Sequence, residues 1–267
     1  MLEISALAKI NLALDVTGKE GRLHTVDTLI YPVSLHDTVR MKPSDVTTVK
    51  YVGKRGVYPG DTVLKTLELY KKIYGERGVE IEIIKRIPEK AGLGGSSADA
   101  AAVARGLEEL FLYPSVGAEK LLEVGSDVPA MYENSPQRAT SFGERTTPFV
   151  VKKKIYFAVL LGGEVDTGKC YGLFDETGGE RPEVQDVVEA LRCGEYFTPV
   201  NALERAAEII CPDVREKKKL LSEAGFICSM TGSGSAVFGY EYDLDLFENK
   251  LAFLKKAAGK KYKTITF

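Results

Sequence analysis

Tryptophan is absent from this chain of 267 residues, and histidine occurs only twice, at His24 and His36. With so few histidines and no clustered cysteines, an ordinary structural or catalytic zinc site is not expected. The four cysteines, Cys170, Cys193, Cys211 and Cys228, are scattered and form no CxxC pair. A chain this long buries a core without staples, so they read as reduced cytoplasmic thiols. Apolar runs are short: Phe157 to Leu161 is among the longest, far below the ~20 residues that span a bilayer. The opening MLEISALAKINLALDV has no basic n-region and no small-residue cleavage site, so export is not expected and the reading is cytoplasmic. Charge of one sign is also missing, with 36 Lys plus Arg against 38 Asp plus Glu, a net −2. That balance leaves no electrostatic footprint for nucleic acid. A local basic pocket for a small phosphate-bearing ligand stays open. Three motifs are missing as well: the GxSxG elbow, the GxxxxGK[ST] P-loop and the GxGxxG dinucleotide fingerprint. Their absence disfavours α/β-hydrolase, Walker-type and Rossmann readings.

What is present is the balance of a globular protein, 44% apolar and 28% charged. Residues 2–8, 26–33, 36–42, 46–52 and 79–84 read as strands, and 62–75 as a helix ended by Gly75. An Ala-rich helix starts near Ser97, and 117–124 is a short one. The segment 143–154 turns polar and Lys-rich, a candidate boundary between domains 1–149 and 150–267. Beyond it, 155–161 is a buried-type strand. Residues 183–193, 200–210, 213–224 and 243–257 read as helices. Strands are expected at FICSM, at SAVFGYEY and at 262–266. Regular βαβα alternation is absent, so the fold class is α+β in two domains.

The strongest local signal is PEKAGLGGSSADAAA at 88–102, a strand end, three glycines and a helix start. Glycines let backbone amides turn inward, and a new helix adds unpaired N–H groups and a positive dipole end. Together these make a phosphate cradle, with Lys85, Arg86 and Lys90 supplying nearby charge. The alternative is an ordinary strand–turn–helix with Ser96 as its cap. A second glycine turn lies in MTGSGSAVFG at 230–239.

With SALAKINLALDV at 5–16, these three segments resemble, in order, the motifs of the GHMP kinase superfamily, small-molecule kinases that hold ATP phosphates on such a loop. The resemblance implies a mixed α+β N-terminal domain, a ferredoxin-like C-terminal domain, and ATP with Mg²⁺. RLHTVDTLIYPVSLHD at 22–37 and GSDVPA at 125–130 resemble one branch of that superfamily. Its acceptor is a cytidine-diphosphate-linked methylerythritol, phosphorylated on the 2-hydroxyl in the non-mevalonate route to isoprenoid precursors. Other acceptors (mevalonate-type alcohols, homoserine) and a non-catalytic nucleotide-binding regulator are the alternatives.

The resemblance assigns roles. Asp127 is the candidate base, with Lys9 as its catalytic partner, since a lysine inside an apolar strand needs a partner. Ala91, Gly92, Leu93, Gly94, Gly95, Ser96 and Ser97 hold ATP phosphates, Ser97 also being the metal candidate. Asn11, on the same strand face as Lys9, and His24, with a donor and an acceptor for a cytosine edge, bind substrate. Thr167 and Tyr171 resemble the family's Thr and aromatic pair. Tyr31, backed up by Phe174, replaces an aromatic lost where Arg22-Leu23-His24 stands for Gly-Tyr-His. Gly232 and Gly234 let the third motif approach the phosphate loop. Thr62 stands where an Asn is usual, Pro88-Glu89-Lys90 where Met-Gly is, and Ser96 replaces a glycine.

Overall fold

The computed structural model describes residues 1–21, 23–53, 60–179 and 181–267. Two long strands, β1 (Leu2–Glu20) and β2 (Leu23–Pro43), pair antiparallel through most of their length. They run unbroken through the short strands expected from sequence. Irregular pairing between Leu7 and Lys9, Asn11 and Ala13, and Val16 and Gly18 lets them bend while staying bonded. Then follow β3 (Thr48–Val52), α1 (Thr62–Tyr74), β4 (Val79–Ile84) and α2 (Gly95–Phe111). After these come α3 (Ala118–Leu122), α4 (Val128–Tyr132), β5 (Gln137–Ser141) and β6 (Arg145–Pro148). The remaining elements are β7 (Tyr156–Leu161), α5 (Thr167–Thr177), α6 (Val184–Cys193) and β8 (Val200–Asn201). They continue with α7 (Glu204–Ile210), α8 (Asp213–Glu223), β9 (Ile227–Met230), β10 (Val237–Glu241), α9 (Leu244–Ala258) and β11 (Lys263–Thr266).

The fold is mixed α+β. The first sheet runs β3-β4-β2-β1-β8, with β5 and β6 attached along β2. The second runs β11-β7-β10-β9, the strand order of a ferredoxin-like βαββαβ unit. β1 is buried almost continuously from Ala6 to Val16, because α2 covers one face while α6 and β8 lie against it as well. Strand alternation in the sequence is therefore lost there. The Ala-rich side of α2 is core: Ala98, Ala100, Ala101, Ala102 and Ala104 are buried. Gly106 faces Met41 so closely that a Cβ would lie 2.3 Å from its sulfur.

The expected helix over 200–210 is corrected at its start. Val200 and Asn201 pair parallel with Ala13 and Leu14 of β1, and the helix begins only at Glu204. A strand of two residues has no periodicity of its own to read. In the polar segment 143–154, Arg145–Pro148 forms β6, and an irregular stretch leads into β7. No helix among the described residues is long and apolar enough to cross a membrane.

Candidate active site

One cleft of about 1380 Å³ lies between the glycine loop, the β1–β2 tip and α5. Sites for a single small ligand are typically ~300–1,000 Å³, so this one has room for two ligands side by side. Its floor is the loop before α2. Lys90, Gly92 and Gly94 take left-handed φ values of 49°, 75° and 72°. Gly94 is the N-cap of α2, and no side chain caps the helix. The first-turn amides are thus left for another acceptor, at the positive end of the helix. Ser96 does not act as the cap; its carbonyl instead accepts a hydrogen bond from Thr62 Oγ1 at 2.8 Å, docking α1 onto the loop.

The third motif locks this loop from the other side. Ala236 N donates to Ala91 O at 3.1 Å, and a Cβ on Gly92 would sit 2.1 Å from Thr231 O. A Cβ on Gly232 would meet Gly92 O at 2.9 Å and Lys9 Nζ at 3.0 Å. Gly92→Ala combines a backbone clash with a left-handed φ. It is expected to cost about 1–3 kcal/mol and to raise the KM for ATP, checked by thermal melts and nucleotide titration. A wild-type melting temperature and ATP KM would refute this packing.

The charge near the loop differs from expectation. Lys85 is buried and held between Asp37 and Asp99, both also buried, so its cation is already matched. Lys90 reaches Glu164 at 2.9 Å, and Arg86 is exposed and does not line the cleft. Lys65 of α1, not anticipated, does line it.

Lys9 projects from β1 with only 3% of its surface exposed. Its ammonium donates to Asn11 Oδ1 and stands 3.6 Å from Asp127 Oδ2. Burial pulls the Lys9 pKa down from the ordinary lysine value, with Asp127 opposing the shift. Asp127 sits just before α4, yet its side chain makes no capping bond, and it is 34% exposed toward the cleft. The carboxylate is therefore not spent on capping the helix. Asn11 Nδ2 donates to Thr28 Oγ1 at 2.8 Å, and Asn11 N donates to Thr231 Oγ1 at 2.9 Å. The amide that orients Lys9 is itself pinned by both halves of the chain.

At the far end, Leu23 and His24 of β2 and Thr167, Tyr171 and Asp175 of α5 line the cleft; Arg22, the first residue of the Arg22-Leu23-His24 motif, is outside the described residues. The His24 and Tyr171 rings lie 4.7 Å apart, tilted by 34°. Thr167 Oγ1 is 2.8 Å from Ser233 Oγ in the third motif.

Tyr31 is not brought to the cleft, which corrects its expected place. It pairs with Ile10 across β1–β2, so it shares the face opposite to Lys9 and Asn11, and it packs on Phe157 with ring centroids 5.6 Å apart. Phe174, half-buried, likewise packs against the core of the second half and does not line the cleft. Sequence reasoning missed Asn201, which donates both amide hydrogens, to Met230 O and Gly232 O, at 2.9 Å each. Its carbonyl accepts from Leu203 N at 3.0 Å. An Asn just before a helix signals a cap, but its grip on the third motif exists only in the folded chain.

Residues 61–135 match the model of the GHMP kinase N-terminal domain. A 4-diphosphocytidyl-2-C-methyl-D-erythritol kinase of Thermoanaerobacter pseudethanolicus is 30% identical, over 96% of this chain and 92% of its own length. One of Pelotomaculum thermopropionicum is 34% identical, over 90% of this chain and 89% of its own. The crystal structure of a 4-(cytidine 5'-diphospho)-2C-methyl-D-erythritol kinase superposes with a TM-score of 0.78 at 31% identity, covering 99% of this chain and 98% of that one. A phosphomevalonate kinase of Streptococcus pneumoniae, 15% identical over 100% of this chain and 99% of its own with a TM-score of 0.73, shares the fold.

Proposed function

The chain belongs to the 4-diphosphocytidyl-2-C-methyl-D-erythritol kinase family of GHMP kinases, and we propose that it transfers the γ-phosphoryl group of ATP to the 2-hydroxyl of that cytidine-diphosphate-linked methylerythritol. The observation that carries this reading is the Lys9–Asp127 pair, 3.6 Å apart, in the same cleft as the uncapped helix start beyond the glycine loop.

In this reading the amides of Gly95, Ser96 and Ser97 receive the ATP phosphates. The acceptor hydroxyl lies against Asp127, whose carboxylate takes its proton as oxygen attacks the γ-phosphorus and the bond to the bridging oxygen of ADP breaks. Lys9, held by Asn11, keeps positive charge beside the carboxylate and the developing phosphoryl charge. No cluster of three acidic, His or Cys side chains is found among the described residues. This donor set suits Mg²⁺ carried mostly by phosphate oxygens and water, with the Ser97 hydroxyl as its protein contact, where it would neutralise phosphate charge. His24 and Tyr171 take the cytosine ring, and Thr167 stands beside them. The four free cysteines support a cytoplasmic setting.

The test is ADP release from ATP and Mg²⁺ with the cytidine-linked acceptor present or withheld. Acceptor-dependent turnover is expected, with cytidine diphosphate competing against the acceptor. Turnover with mevalonate or homoserine in its place would move the acceptor assignment to those alcohols.

A further inference from the structure

α5 carries Tyr171 and Asp175 four residues apart, so both face the same side of the helix, and both line the cleft. Opposite them, Lys19 and His24 stand directly across from one another in the β1–β2 register. Asp175 spans that pair. Its Oδ2 accepts from Lys19 Nζ at 2.5 Å, and its Oδ1 lies 2.7 Å from His24 Nε2. The side chain thus ties the tip of the long hairpin to a helix of the second half.

An ionised carboxylate can only accept, so the 2.7 Å contact requires the hydrogen to sit on His24 Nε2. Lys19 on the other oxygen helps keep that carboxylate charged; the two neighbours hold the Asp175 pKa below the ordinary carboxylate value, with Lys19 first. His24 Nδ1 has no partner among the described residues. In the neutral ring with Nε2 protonated, Nδ1 is an acceptor.

We propose that Asp175 is a positioning residue that fixes His24 in its Nε2–H form, so that Nδ1 selects a base bearing an exocyclic amino group over one bearing a carbonyl there. It makes the site choose cytosine over uracil, and it rests on the cytidine reading above. Asp175→Asn tests it sharply. Lys19 has only hydrogens to offer and so retains the oxygen of the new amide. The NH₂ end is left facing His24 Nε2, which must then accept, and the ring proton moves to Nδ1.

The experiment has two arms. Inhibition by CDP and by UDP is compared in the wild type and Asp175→Asn, with the KM for ATP and the melting temperature as controls. The expected result is a CDP preference that falls about tenfold in the variant, the scale of one mismatched hydrogen bond, at unchanged ATP KM. The second arm reads the ring directly by ¹⁵N NMR of the wild-type protein at mildly alkaline pH. A His36→Gln variant assigns the only other histidine. Protonated Nε2 and unprotonated Nδ1 are expected. A proton on Nδ1 in the wild type overturns the proposal, and this arm decides it alone if Asp175→Asn does not fold. A wild-type CDP preference kept in a folded Asp175→Asn overturns the Asp175 role and leaves the cytidine reading intact. Equal binding of CDP and UDP by the wild type, with Nε2 protonated, instead overturns the cytidine reading and the specificity role with it.

Discussion

Replacing Asp127 by Asn is expected to lower kcat by a factor of about 10²–10⁴, the usual contribution of a positioned general base, with the KM for ATP and the melting temperature near wild type. The structure separates these readouts because the Asp127 side chain caps no helix and its ion pair with Lys9 is long, at 3.6 Å. Asparagine matches the size of the carboxyl group but cannot take the hydroxyl proton. Lys9→Ala is expected to lose activity on a similar scale and some stability too, since Lys9 is buried and packs against the glycine loop. In the proposed reading the two residues serve the same proton transfer, Lys9 by holding positive charge beside Asp127, so the double variant is expected to lose little more activity than the worse single one. Steady-state ADP release for the three variants, with melting curves, checks this. A kcat near wild type in Asp127→Asn would remove the carboxylate from the chemistry, and fully multiplicative losses would mean that the pair does not act as a unit.

The largest expected effect on stability comes from Lys85→Met. Lys85 is the cation between Asp37 and Asp99, and all three side chains are at most 5% exposed. Removing it leaves two carboxylates facing each other without a counter-charge. Such a loss costs about 3–5 kcal/mol, or a drop in melting temperature on the order of 10 °C. The Asp99 pKa is already pushed up to about 7, first by burial and then by Asp37, with Lys85 opposing the rise. The sign of the pH effect follows. A carboxyl group that binds its proton more tightly folded than unfolded makes stability fall as pH rises from about 4, the unfolded value, to about 7. Without Lys85 nothing opposes that rise, so Asp99 is expected to keep its proton to still higher pH, and the damage is greatest above about pH 7 and shrinks toward about pH 5. Melting curves of both proteins across that range test this. A constant difference between them would mean that Asp99 does not titrate in this range. The same network anchors the loop, because Asp37 Oδ1 accepts from Ile87 N at 2.8 Å and from Arg86 N. The KM for ATP is therefore expected to rise along with the loss of stability.

Much of the cleft was legible from residue order because its parts are local. The strand end, the glycines and the Ala-rich helix at 88–102 announce a phosphate cradle through backbone conformation, which neighbouring residues dictate. Lys9 stands out as a charge in an apolar strand, and Asn11, two residues on, shares its strand face. Other features depended on distant partners. Lys85 reads in the sequence as positive charge near phosphate, whereas folding places two acids against it. Tyr31 reads as a spare aromatic, whereas its register opposite Ile10 turns it to the core. Asn201 and Thr231 look unremarkable in sequence, yet they hold the third motif against Gly92 and Asn11.

Residue order alone marks the α+β class, the glycine loop and the charged residue types of the cleft, because propensity, turn geometry and charge burial act over a few residues. Folding decides which charges stay uncompensated at the cleft, which face of β2 lines it, and that Asp175 joins Lys19 to His24. Those outcomes depend on strand register and on contacts between segments more than 100 residues apart. There a shift of one position turns a side chain to the opposite face.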